Sequence, residues 1–580
     1  MEIKDSIAKQ IEEFLKEKGV ESPFTLDIPK DKSHGDLTTN IALAISKKLG
    51  KNPRDLAKEL KEYLEKSKIE GVNSIEIAGA GFLNFKTNED PLSTLNEIVS
   101  KDLEYGKEEK KNKKVMVEYG QPNTHKALQI GHMKSGLIGA SIIKLLENSG
   151  YDVIKANFYG DVGKQVAKCL YGLLLDNDNS IDKSIDKVNK IKSKFGVNEV
   201  AKYLNDCYVK ASSLHEVDEK VKEGINKINI SIYADLDKDT PLMKLYRLTK
   251  KMSEEHQDFV FGELGVLYDR QYPESEIFKN GLELVRKHIP DLFIQDQGAI
   301  IFPGEKYDLQ RWVFITKDGV PTYSAKDLGL AYKKFEEYPD LYLSIVLTAV
   351  EQNSYFKAVI KALELIDKKF TGKYKHFGFG WMLLGNKKTS SRLGKTIKVT
   401  DLMEEIVSKA KEKISKDKNY TKEEIDSIAK SVGISALKFF ILSYEFHKDI
   451  NYDPDKVLSL TGFSGPYIMY GYVRTHGILK GNEIDKSKLN GHILNPDEKE
   501  LIQELSKYPN IAAKASEEFA PHKIAHYLYD LTNLFNKFYN NNQVLNDPVN
   551  KDFRLLLTKS VSIVLRNGLK LLNIDAIDRM

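Results

Sequence analysis

The sequence predicts a multidomain α/β protein: a parallel-sheet domain carrying a helical insertion, preceded by an α+β domain and followed by an all-α helical bundle. Three observations carry this expectation. The chain has 580 residues, and hydrophobic cores stop growing at roughly 250–300 residues, beyond which chains divide into domains. Residues 115–159 run strand, turn, helix, strand, the βαβ unit from which parallel sheets are built. Beyond residue 400 the apolar positions keep helical spacing to the end of the chain.

Within the first domain, residues 1–100, Ile3, Ile7, Ile11 and Phe14 recur at helical spacing between charges. FTLDIP (24–29) reads as a strand, 41–49 and 55–64 as helices, and IEIAGAGFLNF (75–85) as a return to the sheet. The Lys/Glu-rich stretch 104–114 lacks apolar periodicity and reads as a linker. The second domain, 110–400, opens with VMVEYG (115–120), continues through a helix that carries Leu137, Ser141 and Leu145 on one face, and returns as YDVIKANFY (151–159). GAIIFP (298–303), RWVFIT (311–316) and LYLSIVLT (341–348) are expected to extend the same sheet, around a helical insertion near 170–290. In the third domain, 401–580, Pro521 precedes an apolar stripe through Ile524, Leu528, Leu531, Phe535 and Phe538, as in a bundle helix. Gly568 is expected to cap another helix.

A hydrophobic content of 41% with 30% charged residues is ordinary globular composition. No apolar run approaches the roughly 18 residues of a membrane helix, and the first residues lack the apolar core of a signal peptide. Cys169 and Cys207 have no neighbouring Cys or His at ligand spacing, which supports neither a disulfide framework nor a zinc site and fits a reducing cytoplasm. The net charge of +4 leaves a basic face open. Lysines crowd 107–114, 367–376 and 386–398, although most such runs are solvated surface.

The candidate chemistry lies at the first strand–helix junction, NTHKALQIGHMKSG (123–136). A helix N-terminus at the carboxyl edge of a parallel sheet offers free amide groups and a dipole worth roughly 0.3–1 kcal/mol toward an anion. Gly131 leaves the backbone open to a flat ligand, Gln129 and His132 can donate hydrogen bonds to phosphate, and Lys126 adds a point charge. A second polar loop, KKTSSRLGK (387–395), has the composition of a phosphate clamp, with Lys388, Ser390, Ser391, Arg392 and Lys395. Each is compatible with an ordinary surface turn when taken alone.

Together, in this order, IGH after NTHKAL and the later KTSSRLGK resemble the HIGH and KMSKS signatures of class I aminoacyl-tRNA synthetases, and the text between them resembles the arginyl members. VEYGQPNTHK (117–126), ANFYGDVGKQ (156–165) and DGVPTYSAKDLGLAY (318–332) are similar to that family's internal motifs. IPKDKSHGDLTTN (28–40) and AGAGFLNF (78–85) are similar to its additional N-terminal domain. GFSGPYIMYGYVRTHGIL (462–479) and GLKLLNIDAIDRM (568–580) resemble its helical anticodon-binding domain.

The resemblance implies a Rossmann-like catalytic domain that ligates L-arginine to tRNA(Arg) through an arginyl-adenylate. ATP is then a substrate, Mg²⁺ accompanies it, and no protein-bound zinc is expected. It also implies an arginine pocket. A guanidinium presents five donors in a rigid fork, for which Asp327 and Tyr323, one helical turn before it, are the expected partners, while Glu118, Asn123 and Gln352 orient the substrate. Rejecting analogues that leave such groups unpaired yields about 10⁴-fold discrimination without editing. Lys126, Gln129, His132, Ser390, Ser391 and Arg392 would carry catalysis, with Gly131, Lys388 and Lys395 at the ATP.

Three departures bear on these roles. Gln129 stands where the family has the first His of HIGH; it donates a hydrogen bond without a proton's charge, so transition-state stabilisation is expected to be weaker or differently shared. Ser391 replaces the second Lys of KMSKS, with Lys126 as the family's usual substitute, and Lys326 replaces the arginine of T-Y-x-x-R-D. For RNA, Tyr467, Tyr470 and Arg474 share one helical face on which anticodon bases could stack, at least one Tyr being expected to pack the bundle instead. The chain is expected to work as a monomer without a membrane partner. A tRNA-binding paralog weakened at Gln129 and a synthetase for another amino acid are the alternatives.

Overall fold

The computed structural model describes residues 3–27, 29, 35–87, 91–384, 398–414, 420–489 and 491–580. The chain divides into two compact units, 1–100 and 101–580.

In the first unit, α1 (Ile3–Glu17) buries Ile7, Ile11 and Phe14 against α2 (Ile41–Leu49) and α3 (Pro53–Lys66) through one hydrophobic cluster. The side chain of Asn52 caps α3 by accepting the amide of Arg54 at 2.9 Å, with Pro53 in the first turn. β1 (Leu37–Thr39), β2 (Val72–Ala78) and β3 (Phe82–Thr87) form an antiparallel sheet in the order β1-β3-β2, and α4 (Pro91–Lys101) follows. Among its described residues FTLDIP forms no strand, and its sheet contact is a bridge from Asp27 to Thr38. IEIAGAGFLNF is a hairpin that turns at Gly79, whose φ of +55° suits glycine.

The second unit is built on a five-stranded parallel sheet in the order β11-β10-β4-β5-β6. β4 (Lys114–Glu118), α5 (Ile130–Asn148) and β5 (Asp152–Tyr159) are the βαβ unit read from the sequence. α5 buries Met133, Leu137, Ile142 and Leu145 completely, each contributing about 1.5–3 kcal/mol relative to exposure. Five helices then leave the sheet: α6 (Lys164–Asp176), α7 (Ile181–Phe195), α8 (Val197–Val217), α9 (Glu219–Asp235) and α10 (Pro241–Glu263). They share a core that contains both Cys169 and Cys207 as free thiols. The insertion thus starts and ends earlier than expected, because β6 (Arg270–Pro273) already rejoins the sheet and α11 (Glu274–Lys287) packs beside it.

The expected strands at 298–303 and 311–316 form but do not join the parallel sheet. β7 (Ile294–Asp296), β8 (Ala299–Phe302) and β9 (Trp312–Ile315) make a separate antiparallel sheet. Their connections are too short for the crossover of a dozen or more residues that parallel pairing requires. α12 (Tyr323–Glu337), β10 (Leu341–Ala349), α13 (Asn353–Ile366) and β11 (Tyr374–Phe379) complete the central layer, and β12 (Met382–Leu384) follows.

The strands do not end at residue 400. After α14 (Val399–Ile414) and α15 (Lys422–Leu442), β13 (Ile450–Tyr452) pairs in parallel with β12. Helices follow: α16 (Pro454–Val457), α17 (Gly465–Leu479), α18 (Pro496–Ser506), α19 (Tyr508–Glu517), α20 (Pro521–Asn541) and α21 (Lys551–Leu571). Gly568 caps nothing. It lies within α21, where an added Cβ would sit 2.5 Å from Leu528 of α20, so glycine is the contact that lets the two helices close. No described helix is long and apolar enough to cross a membrane.

Candidate active site

The carboxyl ends of β4, β5, β10 and β11 open into one cavity of about 550 Å³. Between β4 and α5 the chain reaches it through a loop with positive φ at Gly120, Gln121 and His125. The buried His125 ring holds Thr124 and Thr249 at 2.8 Å each, tying the loop to α10; burial pulls its pKa down to about 3, so it stays neutral. Ser135, one turn into α5, accepts the Gly120 amide at 3.0 Å and donates to the Leu347 carbonyl at 3.2 Å, which fixes α5 to β10. A Cβ at Gly160 would stand 2.4 Å from Asn123 Oδ1, so any larger residue there would displace the Asn123 side chain.

Seven of the residues singled out in the sequence line this one cavity: Asn123, Gln129, Gly131, His132, Tyr323, Asp327 and Gln352. Gln129 is the residue before α5, and its backbone N–H donates to His132 Nδ1 at 3.2 Å. His132 Nδ1 is therefore an acceptor and the ring proton sits on Nε2. Burial, reinforced by the Lys126 charge, lowers the His132 pKa to about 3. Both members of the signature are thus neutral donors, and replacing the first His by Gln129 removes no charge that His132 itself supplies. A Cβ on Gly131 would meet nothing within 4 Å, because it points into open space.

Two expected residues do not line the cavity. Lys126 lies beside it, its ammonium 5.9 Å from the Tyr208 ring centre, and burial lowers its pKa. Glu118 is fully committed: one carboxylate oxygen pairs with Lys334, and the other accepts the Gln121 amide. Glu118, expected to help orient arginine, is not among the residues that line the cavity and adjoins it through Gln121, which is. Lys388, Ser390, Ser391, Arg392 and Lys395 lie outside the described residues. On either side of that segment, Met382 lines the cavity, and Lys398 bridges to Gln129.

Glu274, Tyr355 and Lys334 are not among the residues expected at the site. Glu274 begins α11, lines the cavity and pairs with Lys326 at 2.5 Å. Burial opposes the Lys326 charge, but Glu274 beside it holds its pKa above the ordinary lysine value. Tyr355 on α13 donates its hydroxyl to Asp327 Oδ2. Asp327 has no ion pair among the described residues, and burial, then the negative charge of Glu118, push its carboxyl up to about 8. A buried acid with its pKa raised this far, in a cavity, marks a candidate functional group.

In the helical region, Arg474 stacks over Tyr470 and Tyr539 at 4.9 and 5.1 Å, with both rings exposed. Tyr467 instead packs between α17 and α20, donating to Asn533 at 2.7 Å and accepting from Asn536 at 3.0 Å.

The chain matches three family models in order: Arginyl tRNA synthetase N terminal domain over residues 1–87, tRNA synthetases class I (R), catalytic domain, over 94–453, and DALR anticodon binding domain over 468–580. It is 31% identical to the arginine–tRNA ligase of Fusobacterium nucleatum, covering 100% of this chain and 99% of the relative. It is 30% identical to that of Clostridium botulinum over 96% of each. The arginyl-tRNA synthetase structure of Thermus thermophilus shares the fold with a TM-score of 0.81, at 22% identity and covering 100% and 99% of the two chains. With three family models matched in order and relatives matched from end to end, the chain belongs to the class I arginyl-tRNA synthetases.

Proposed function

We propose the following division of labour for the reaction of this family, ATP-dependent ligation of L-arginine to tRNA(Arg) through an arginyl-adenylate. The observation that carries it is the shared cavity of Gly131, His132 and Asp327. The guanidinium meets Asp327 and Glu274 beside Tyr323, and Asn123 and Gln352 orient the rest of the amino acid. Its carboxylate oxygen attacks the α-phosphorus of ATP and pyrophosphate leaves; the 3′ end of the tRNA then takes the arginyl group and AMP leaves. Such chemistry needs in-line positioning and charge stabilisation more than acid–base groups. The Nε2–H of His132, the Gln129 amide and the first turn of α5 donate to phosphate oxygens, and Lys126, Lys388, Arg392 and Lys395 supply positive charge, with Ser390 and Ser391 as further donors.

Among the described residues no three His, Cys, Asp or Glu side chains converge on a metal position. Mg²⁺ would accompany ATP and supply charge neutralisation at its phosphates, as the class I catalytic domain implies. Tyr470 and Arg474 stack on anticodon bases, with Tyr467 as their support, and the N-terminal unit contacts the tRNA. We propose a cytoplasmic monomer, in keeping with two free thiols.

Charging of matching tRNA by the purified chain, across the twenty amino acids, tests this reading; product with arginine alone is expected, and none with arginine overturns it. Gln129→His is expected to leave kcat at or above that of the wild type, since the position supplies a neutral donor; a large loss would show that the amide has its own contact. Gly131→Val is expected to raise the ATP KM at least about tenfold through lost phosphate contact, with the melting temperature unchanged. The arginine KM is expected to fall about tenfold per pH unit up to about 8 and then level off, as Asp327 gains the charge that the guanidinium requires. A flat profile between pH 6 and 8 would remove Asp327 as the group that titrates.

A further inference from the structure

Three buried carboxylates gather at the guanidinium end of the cavity, from three elements: Glu118 at the end of β4, Glu274 on α11 and Asp327 on α12. Two buried ammonium groups accompany them. Lys326 pairs with Glu274 at 2.5 Å, and Lys334, with a side chain 0% exposed, pairs with Glu118. The next acidic group outward, Asp161, is balanced by Lys250 at 2.6 Å. Among the described residues one carboxyl of the group is left without an ammonium partner, that of Asp327.

We propose that Lys334 is a positioning residue for arginine specificity: by closing Glu118 into an ion pair, it leaves the cavity floor short of one positive charge, at Asp327 and nowhere else. The inference rests on the reading of this cavity as the arginine site. Lys334 touches no part of the cavity. It holds the Glu118 carboxylate and reaches the Ser344 and Tyr374 hydroxyls at 3.4 Å each. A buried ion pair is a poor stabilising device, because well-packed apolar residues often do as well. Without Lys334, Glu118 and Asp327 would compete for one guanidinium. Without Glu118, the Lys334 ammonium would compensate Asp327 itself and fill the vacancy from inside. The groups that face Asp327 are Glu118 from β4, Glu274 from α11, Tyr355 from α13, Tyr374 from β11, and Tyr323 and Lys334 from its own helix.

The test is calorimetric titration of L-arginine and its neutral isostere L-citrulline, across pH, into full-length wild type, Glu118→Gln and Glu118→Gln/Lys334→Met. Glu118→Gln leaves two carboxylates and two ammoniums. It is expected to cut the preference for arginine over citrulline at least about tenfold and to move the pH midpoint of arginine binding down by a unit or more, roughly tenfold per unit. The double variant has the wild-type charge balance and is expected to recover the preference. A structural role predicts the reverse, with the second core substitution deepening the loss. An undiminished preference in Glu118→Gln, or no recovery in a folded double variant, overturns the proposal; if the double variant does not fold, the direction of the midpoint shift in the single variant decides. Failure of the wild type to charge arginine would instead sink the functional reading beneath it.

Discussion

Asp327→Asn is expected to lower the kcat/KM for arginine by roughly two to four orders of magnitude while making the protein more resistant to heat. The loss follows from removing one partner of a buried charge pair, which costs roughly 3–5 kcal/mol, at about 1.4 kcal/mol per tenfold change. The gain in stability follows from the free protein. Burial pushes the carboxyl of Asp327 up to about 8 in the folded protein, against about 4 in an unfolded chain. Its folded pKa is raised, so the folded state resists ionisation, and the resulting penalty grows as pH rises from about 4 to about 8. Asparagine has the same shape, still accepts the Tyr355 hydroxyl and carries no charge to bury. The two readouts, arginine kinetics and melting temperature at pH 8, should move in opposite directions, as they do where a site is kept strained for function. A melting temperature that falls together with activity would mean that Asp327 holds the fold and not the ligand.

The parts of this site that were legible in the sequence are those whose function is local. Gly131 and His132 declare themselves because a strand, a loop and a helix start follow one another within twenty residues, and Asp327 and Tyr323 because they stand one turn apart within a matched motif. The Lys334 partner of Glu118 was not legible, since it lies 216 residues away and a lysine at that spacing reads as solvated surface. Its position was nonetheless readable in hindsight: Lys334 is seven residues after Asp327, two helical turns on the same face. Glu274 was missed because an acidic residue after QYP looks like the first turn of any helix. The strands at 299–302 and 312–315 were found, but apolar composition names no partner, so their separate antiparallel sheet could not be told from an extension of the parallel one.

The largest structural effect is expected at a glycine that touches no substrate. Gly281 lies in α11 where that helix crosses α12. A Cβ there would fall 2.0 Å from the Ala325 carbonyl oxygen and 2.6 Å from its carbon, both backbone atoms that no side-chain rotation can move away. Gly329 makes the reciprocal contact, with a Cβ 2.6 Å from the Gly281 nitrogen. The two helices therefore meet backbone to backbone, and the carbonyl concerned lies between Tyr323 and Asp327. Gly281→Ala must push the first turns of α12 outward and separate Lys326 from Glu274. Overpacking of this kind costs about 1–3 kcal/mol in stability, but the sharper consequence is geometric, since a displacement of about 1 Å can cost 10²-fold in catalysis. The arginine KM is expected to rise by about that factor, while ATP affinity, held by α5 on the other side of the cavity, stays within reach of wild type. Gly262→Ala is the matched control: it is helical and exposed, has nothing within 4 Å of the new methyl, and should stabilise by up to about 1 kcal/mol. Equal loss of arginine and ATP affinity in Gly281→Ala would show that the helix pair supports the whole cavity and not its guanidinium end.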